Sequence, residues 1–132
     1  MILVDTSVLI DFFRGVKNDK VEKLRSVIIN RIPYGVCSLV YMELLQGAKT
    51  EKEYELLRKY LATQIFYELK NGRESYETAA MNYLKCRKNG VTVRSTIDMI
   101  ITQIAIENDL FLLHDDSDYS LIAKVVTGLR EY

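Results

Sequence analysis

Five carboxylates carry the chemistry this sequence could do: Asp5, Glu43, Asp98, Asp116 and Asp118. Asp5 directly follows the apolar run Ile2-Leu3-Val4, and the Asp116/Asp118 pair follows Leu110-Phe111-Leu112-Leu113 after a single histidine and Asp115. Glu43 has Leu39, Val40 and Gly47 at helical spacing, so its side chain projects among apolar and small groups. Asp98 opens a stretch that is otherwise nearly all isoleucine. An ionised carboxylate in such surroundings needs a cation or strong donors, because burying it unpaired is costly. Acids that converge on one place make a pocket that positive charge must fill. Carboxylate oxygens are hard ligands, so Mg2+ or Mn2+ is the expected occupant rather than Zn2+. With a phosphate as the remaining ligand, the reaction is metal-assisted hydrolysis, in which activated water attacks phosphorus in line and the cation stabilises the leaving oxygen. His114 is the only histidine, which excludes a pair of histidines as acid and base.

Each acid also has a structural explanation. Asp5 serves equally as an N-cap, and Ser95-x-x-Asp98 is close to a capping box, where the helix dipole favours an acid. Asp116 and Asp118 are placed to cap a last helix. Thr6, Ser7 and Ser95 either orient carboxylates and waters or cap helices. His114, at a strand end, reads as a structural residue behind the site. Lys85, Arg87, Lys88 and Arg94 form a basic stretch whose ordinary meaning is a solvated helix face, and whose functional meaning is contact with a nucleic-acid backbone. Lysine plus arginine equals aspartate plus glutamate, so nothing is held by overall charge.

The elements that must position these residues follow from periodicity and turn chemistry. A chain of 132 residues, about half apolar, fits one domain spanning 1–132. One proline, six glycines and no repeat leave no linker or low-complexity tail. The start lacks a basic, long apolar leader, and no window approaches the ~18 apolar residues of a membrane helix. Cys37 and Cys86 have no metal-like spacing and read as buried free thiols, consistent with a cytoplasmic protein. Strands are expected at 2–4, 36–37, 64–69, 110–113 and the C-terminus. Helices are expected over 8–13, 21–29, 39–47 with Ser38 as N-cap, 51–62, 75–88, 95–108 and near 121–125. In the 75–88 helix, Tyr76, Ala79, Ala80, Tyr83 and Leu84 are expected to face inward. Pro33-Tyr34-Gly35 is expected to break the chain. Alternating strands and helices imply an α/β fold with a mostly parallel central sheet flanked by helices on both faces. Ligands of such sheets sit beyond the carboxyl ends of the strands, where Asp5 and the Asp116/Asp118 pair are delivered.

ILVDTSVLID, CSLVYMELLQGA and GVTVRSTIDMIITQIAIENDLFLLHDDSDYSLIA, in this order, resemble PIN-domain ribonuclease toxins of the VapC type, essentially from end to end. The resemblance implies a three-layer α/β sandwich and a Mg2+- or Mn2+-dependent endoribonuclease acting on tRNA, rRNA or mRNA. It implies that Asp5, Glu43, Asp98 and Asp116 form an acidic quartet, with Asp118 a frequent fifth acid. Asp5 and Asp98 would be direct metal ligands, and the others would hold a second metal, bridge through water or tune the pocket. It also implies a homodimer neutralised by a small antitoxin protein that reaches into the groove, and no membrane. Tyr119 stands where such proteins usually have Phe, keeping an aromatic ring behind the acids, and Asp115 adds a further carboxylate.

Three other readings are weaker. A PIN-like module without catalysis would be expected to have lost one of the acids. An aspartyl-phosphate phosphatase needs a second Asp two residues after the first, where this chain has Ser7, and no glycine-rich phosphate loop follows any strand. A flap-type DNA nuclease shares the acid logic but usually has additional length to grip a duplex junction.

Overall fold

The computed structural model describes all 132 residues. Five short strands form its centre: β1 (Ile2–Val4), β2 (Tyr34–Val36), β3 (Ile65–Phe66), β4 (Phe111–Leu113) and β5 (Arg130–Glu131). They lie in the order β3-β2-β1-β4-β5, and every pairing is parallel. The sheet is therefore parallel throughout. Seven helices connect and cover it: α1 (Thr6–Phe13), α2 (Asp19–Ile29), α3 (Ser38–Gln46), α4 (Glu51–Leu61), α5 (Arg73–Lys88), α6 (Thr96–Glu107) and α7 (Ser117–Val125).

The central strands are runs of buried residues rather than alternating ones, while the edge strands β3 and β5 are exposed or only partly buried. Ile2, Leu3, Val4, Leu112 and Leu113 are all almost inaccessible, as sheet residues covered on both faces must be. The chain moves outward from β1 through β2 to β3, then returns to the other side of β1 as β4. Strand order thus reverses at the β1–β4 junction, where parallel sheets open a crevice for ligands. All carboxyl-terminal strand ends share that edge.

Local chemistry accounts for most boundaries. The side chains of Asp5, Asn18, Thr50 and Asp116 each accept a backbone N–H and cap α1, α2, α4 and α7. Gly15 and Gly90 take positive φ just past the ends of α1 and α5. Pro33-Tyr34-Gly35 does not interrupt the fold, since Tyr34 and Gly35 begin β2. Gly35 is there because β3 runs so close that a Cβ would overlap the Ile65 carbonyl and the Tyr67 ring.

Other boundaries shift. Cys37 rather than Ser38 precedes α3, and the Ser38 hydroxyl instead donates to Glu68. The last helix begins at Ser117, earlier than Leu121, because Asp116 caps it. The inward face of α5 is Ser75, Ala79, Asn82 and Cys86. Tyr76 and Tyr83 point outward instead, 56% and 36% exposed. The reason is packing of α5 against α6 through small and polar residues: Asn82 donates to Gln103, and the Ser75 hydroxyl donates to Glu107. Hydrophobicity alone picks the wrong stripe when close helix approach requires small side chains.

Candidate metal centre

Five of the expected site residues gather at the β1–β4 crevice. Asp5 leaves the end of β1, Glu43 projects from α3, Asp98 from the first turn of α6, and Asp116 and Asp118 from the start of α7. Ligand oxygens of Asp98, Asp116 and Asp118 all lie within 4.8 Å of one another. That spacing suits a hard divalent cation held by oxygen donors.

Two of these acids cap helices while standing at the crevice. Asp5 caps α1 with Oδ2, which accepts from the Ser7 amide (3.0 Å) and the Ser7 hydroxyl (2.7 Å). The Ser7 Oγ in turn accepts from the Asp115 amide at 2.9 Å, tying the loop after β4 to the loop after β1. Asp116 caps α7 by accepting from the Asp118 amide (3.0 Å). Asp98 is different: Ser95 makes no side-chain cap, and its carbonyl merely accepts the Asp98 amide (3.2 Å). The capping-box explanation of Asp98 therefore fails, and its carboxylate is left to the crevice.

The pocket is electrostatically loaded. Burial first, then the neighbouring charges of Asp5 and Asp116, push the Asp98 carboxyl up to about 6. Glu43 is raised for the same reasons, burial and then Asp5, opposed by a hydrogen bond from the Thr6 hydroxyl (3.2 Å). Carboxylates that resist ionisation beside one another form a site that gains from a cation. Opposite charge comes from Arg94, whose Nε and Nη2 donate to the two oxygens of Asp118 at 3.2 and 3.1 Å. Arg94 itself remains largely exposed, so it screens one edge and does not fill the pocket.

Two groups stand behind the acids as expected, and their hydrogen-bond partners are what residue types did not give. Tyr119, 1% exposed, donates its hydroxyl toward Oδ1 of Asp5 (3.1 Å) and Oδ1 of Asp98 (3.3 Å). Burial and those two carboxylates push its pKa up, so it stays a neutral donor. From the sequence the ring is expected behind the acids, while nothing there assigns its hydroxyl, the polar tip that distinguishes tyrosine from phenylalanine. His114 is buried, accepts the Asp116 amide on Nδ1 (3.1 Å) and places Nε2 2.8 Å from Glu131. It positions the backbone of Asp116 and links it to β5. Lys85, Arg87 and Lys88 lie exposed on the last turn of α5, and none of them pairs with an acid of the crevice.

A parallel five-stranded sheet with acids at its switch point is matched by one family model, the PIN domain, over residues 2–125. The chain belongs to the PIN-domain family. This PIN domain is similar to the VapC ribonuclease Mb1587 of Mycobacterium bovis and to ribonuclease VapC11 of Mycobacterium tuberculosis. It is 28% identical to each over 134 residues, covering 95% of this chain and 93% of the relative. Its fold is similar to that in the crystal structure of VapBC2 from Rickettsia felis bound to a promoter DNA fragment: TM-score 0.75, 14% identity, 100% and 98% of the two chains. FitAcB from Neisseria gonorrhoeae gives 0.70 at 19% identity over 100% and 97%. A toxin–antitoxin complex from Klebsiella pneumoniae gives 0.69 at 21% over 98% and 99%. No helix of this PIN domain is long and apolar enough to cross a membrane.

Proposed function

We propose that this PIN domain, acting as one domain over residues 1–132, is the toxin of a type II toxin–antitoxin system, a metal-dependent endoribonuclease that hydrolyses RNA phosphodiester bonds. The observation that carries this reading is the cluster of carboxylates at the β1–β4 crevice, three of them with oxygens within 4.8 Å of one another. The similarity to VapC ribonucleases over nearly the whole chain supports RNA as the substrate class. The fold shared with toxin–antitoxin complexes supports a small antitoxin protein as partner, occupying the groove over the acids. A cytoplasmic location fits an RNA substrate and two unpaired buried cysteines.

The donor set is all carboxylate, which fits Mg2+ or Mn2+. Asp98, Asp116 and Asp118 would hold the cation, joined by Asp5, which shares the Tyr119 hydroxyl with Asp98, with Glu43 at the side of the pocket nearest Thr6. When bound, a divalent cation supplies Lewis acidity toward phosphate and water. The chain does the rest. Ser7 and Tyr119 fix Asp5 from its two oxygens, and His114 fixes the backbone that carries Asp116. Glu43, its carboxyl raised by burial and by Asp5, is the group we place as proton acceptor for water. Arg94 is the cation placed to meet a phosphate at the rim, with Ser95 beside it and Lys85, Arg87 and Lys88 extending the basic track. This local track substitutes for the absent net positive charge.

Purified protein incubated with total RNA should cleave it only with Mg2+ or Mn2+ present, leaving 5′-phosphate and 3′-hydroxyl ends. EDTA should stop cleavage and excess metal restore it. Intact tRNA, rRNA and mRNA under every metal tried would count against catalysis.

The chain also self-associates in this reading. Tyr76, Ala80 and Tyr83 form an exposed strip on α5 that lines one shallow cavity with Thr96 and Ile100 of α6, of the kind that marks an interface. Sedimentation of Tyr83→Glu should show a monomer where the parent chain is a dimer. A monomeric parent chain at micromolar concentration overturns this part.

A further inference from the structure

The Tyr119 hydroxyl stands 3.1 Å from Oδ1 of Asp5 and 3.3 Å from Oδ1 of Asp98, one at the end of β1 and the other in the first turn of α6, 93 positions apart in the sequence. One phenol carries one proton, so two acceptors share it and their Oδ1 atoms are gathered round a single oxygen. Asp5 has other support, because Ser7 donates twice to its Oδ2. Asp98 has none: the phenol is the only side-chain donor to its carboxylate. The ring is held in place by burial and by the His114 ring, whose centroid is 5.0 Å away. The donor itself is therefore rigid.

We propose that Tyr119 is a positioning residue of the cation site, joining Asp5 to Asp98 through one hydroxyl so that their mutual repulsion does not spread them before a cation arrives. The inference rests on the reading of the acids as a cation site. A ring without the hydroxyl would fill the same space, keep the packing and lose this tie. Outer groups that orient metal ligands commonly contribute 10–100-fold to affinity, which sets the expected effect.

Mn2+ alone, titrated calorimetrically into Tyr119→Phe at neutral pH, should bind about tenfold more weakly than to the parent chain. Ile122→Val, a second buried change on α7 at a side chain that makes no hydrogen bond to the acids, should lower thermal stability yet leave the Mn2+ dissociation constant within about twofold. A merely structural Tyr119 would behave like Ile122. If Tyr119→Phe binds Mn2+ within twofold of the parent chain, the tie is not functional and the proposal falls while the cation site stands. If the parent chain binds no Mn2+, both fall. Should Tyr119→Phe not fold, the parent chain labelled at tyrosine Cζ answers the same question by NMR. Of the nine tyrosine signals, the one in contact with the His114 ring should move most as Mg2+ saturates, and an unmoved signal overturns the proposal.

Discussion

Asp98→Asn should lose RNA cleavage by at least about 100-fold, since outer-shell partners of metal ligands already cost 10–100-fold and this acid sits in the ligand cluster. The same substitution should make the cation-free protein more stable. Asp98 is half-buried and its carboxyl is raised to about 6 by burial and by Asp5 and Asp116, so its charge is a liability to the empty fold. Asparagine keeps the shape, still accepts from the Tyr119 hydroxyl and turns two donors toward Asp116 and Asp118. Allowing for solvent screening of a partly exposed group, the gain is about 1–2 kcal/mol. Denaturant melts of the EDTA-treated proteins measure it, alongside the cleavage assay. Inactive and destabilised together would mean that Asp98 holds the fold rather than the cation.

Without added metal, the protein should become more stable as pH falls from about 7 to about 5, the reverse of ordinary acid denaturation. The folded pKa values of Asp98 and Glu43 are both raised, so their ionised forms cost stability. That cost is full above the folded pKa, near 6 for Asp98, and disappears toward the unfolded value near 4. Facing Asp98 are Asp5 from β1, Asp116 and Asp118 from α7, the neutral Tyr119, and Arg94 paired to Asp118. Glu107 and Glu131 have lowered values, Glu107 through hydrogen bonds from Lys70, Gln103 and Ser75, Glu131 mainly through Ser120 and then His114. Their contribution is lost only below the ordinary carboxylate range, outside this window. Saturating Mn2+ should invert the trend, because bound cation requires ionised ligands. At 100 times its dissociation constant, Mn2+ adds about 2.7 kcal/mol at neutral pH, a gain that shrinks through pH 6. Thermal melts from pH 5 to 7.5, with EDTA or with Mn2+, should therefore converge on the acid side. A metal-free melt that falls steadily below pH 7 would refute the loaded pocket.

Much of this protein was legible before any coordinates. Asp5 and the Asp116/Asp118 pair were readable because buried apolar runs end at them, and strand ends of a parallel sheet share one edge. Asp98 was readable as an acid at the head of an isoleucine-rich helix. On α5 the burial of Ala79 and Cys86 was legible, but Tyr76 and Tyr83 face out because Ser75 and Asn82, polar residues whose burial hydropathy does not announce, meet α6. The competition between capping and site roles had no answer in residue types. Asp5 and Asp116 cap helices at the edge of the crevice, whereas Asp98 does not cap its helix through its side chain.

What the sequence by itself determined is the set of acids, the alternation of strands and helices, and the hard-ligand chemistry they allow, because these follow from local periodicity and side-chain identity. Only the tertiary structure decided that Tyr119 bridges Asp5 and Asp98, that His114 holds Asp116 in place, and that Arg94 closes on Asp118. The distant partnerships at Tyr119 and Arg94 depend on how β1, β4, α6 and α7 come together at one sheet edge, and that meeting is fixed by packing across the whole core rather than by any stretch of chain.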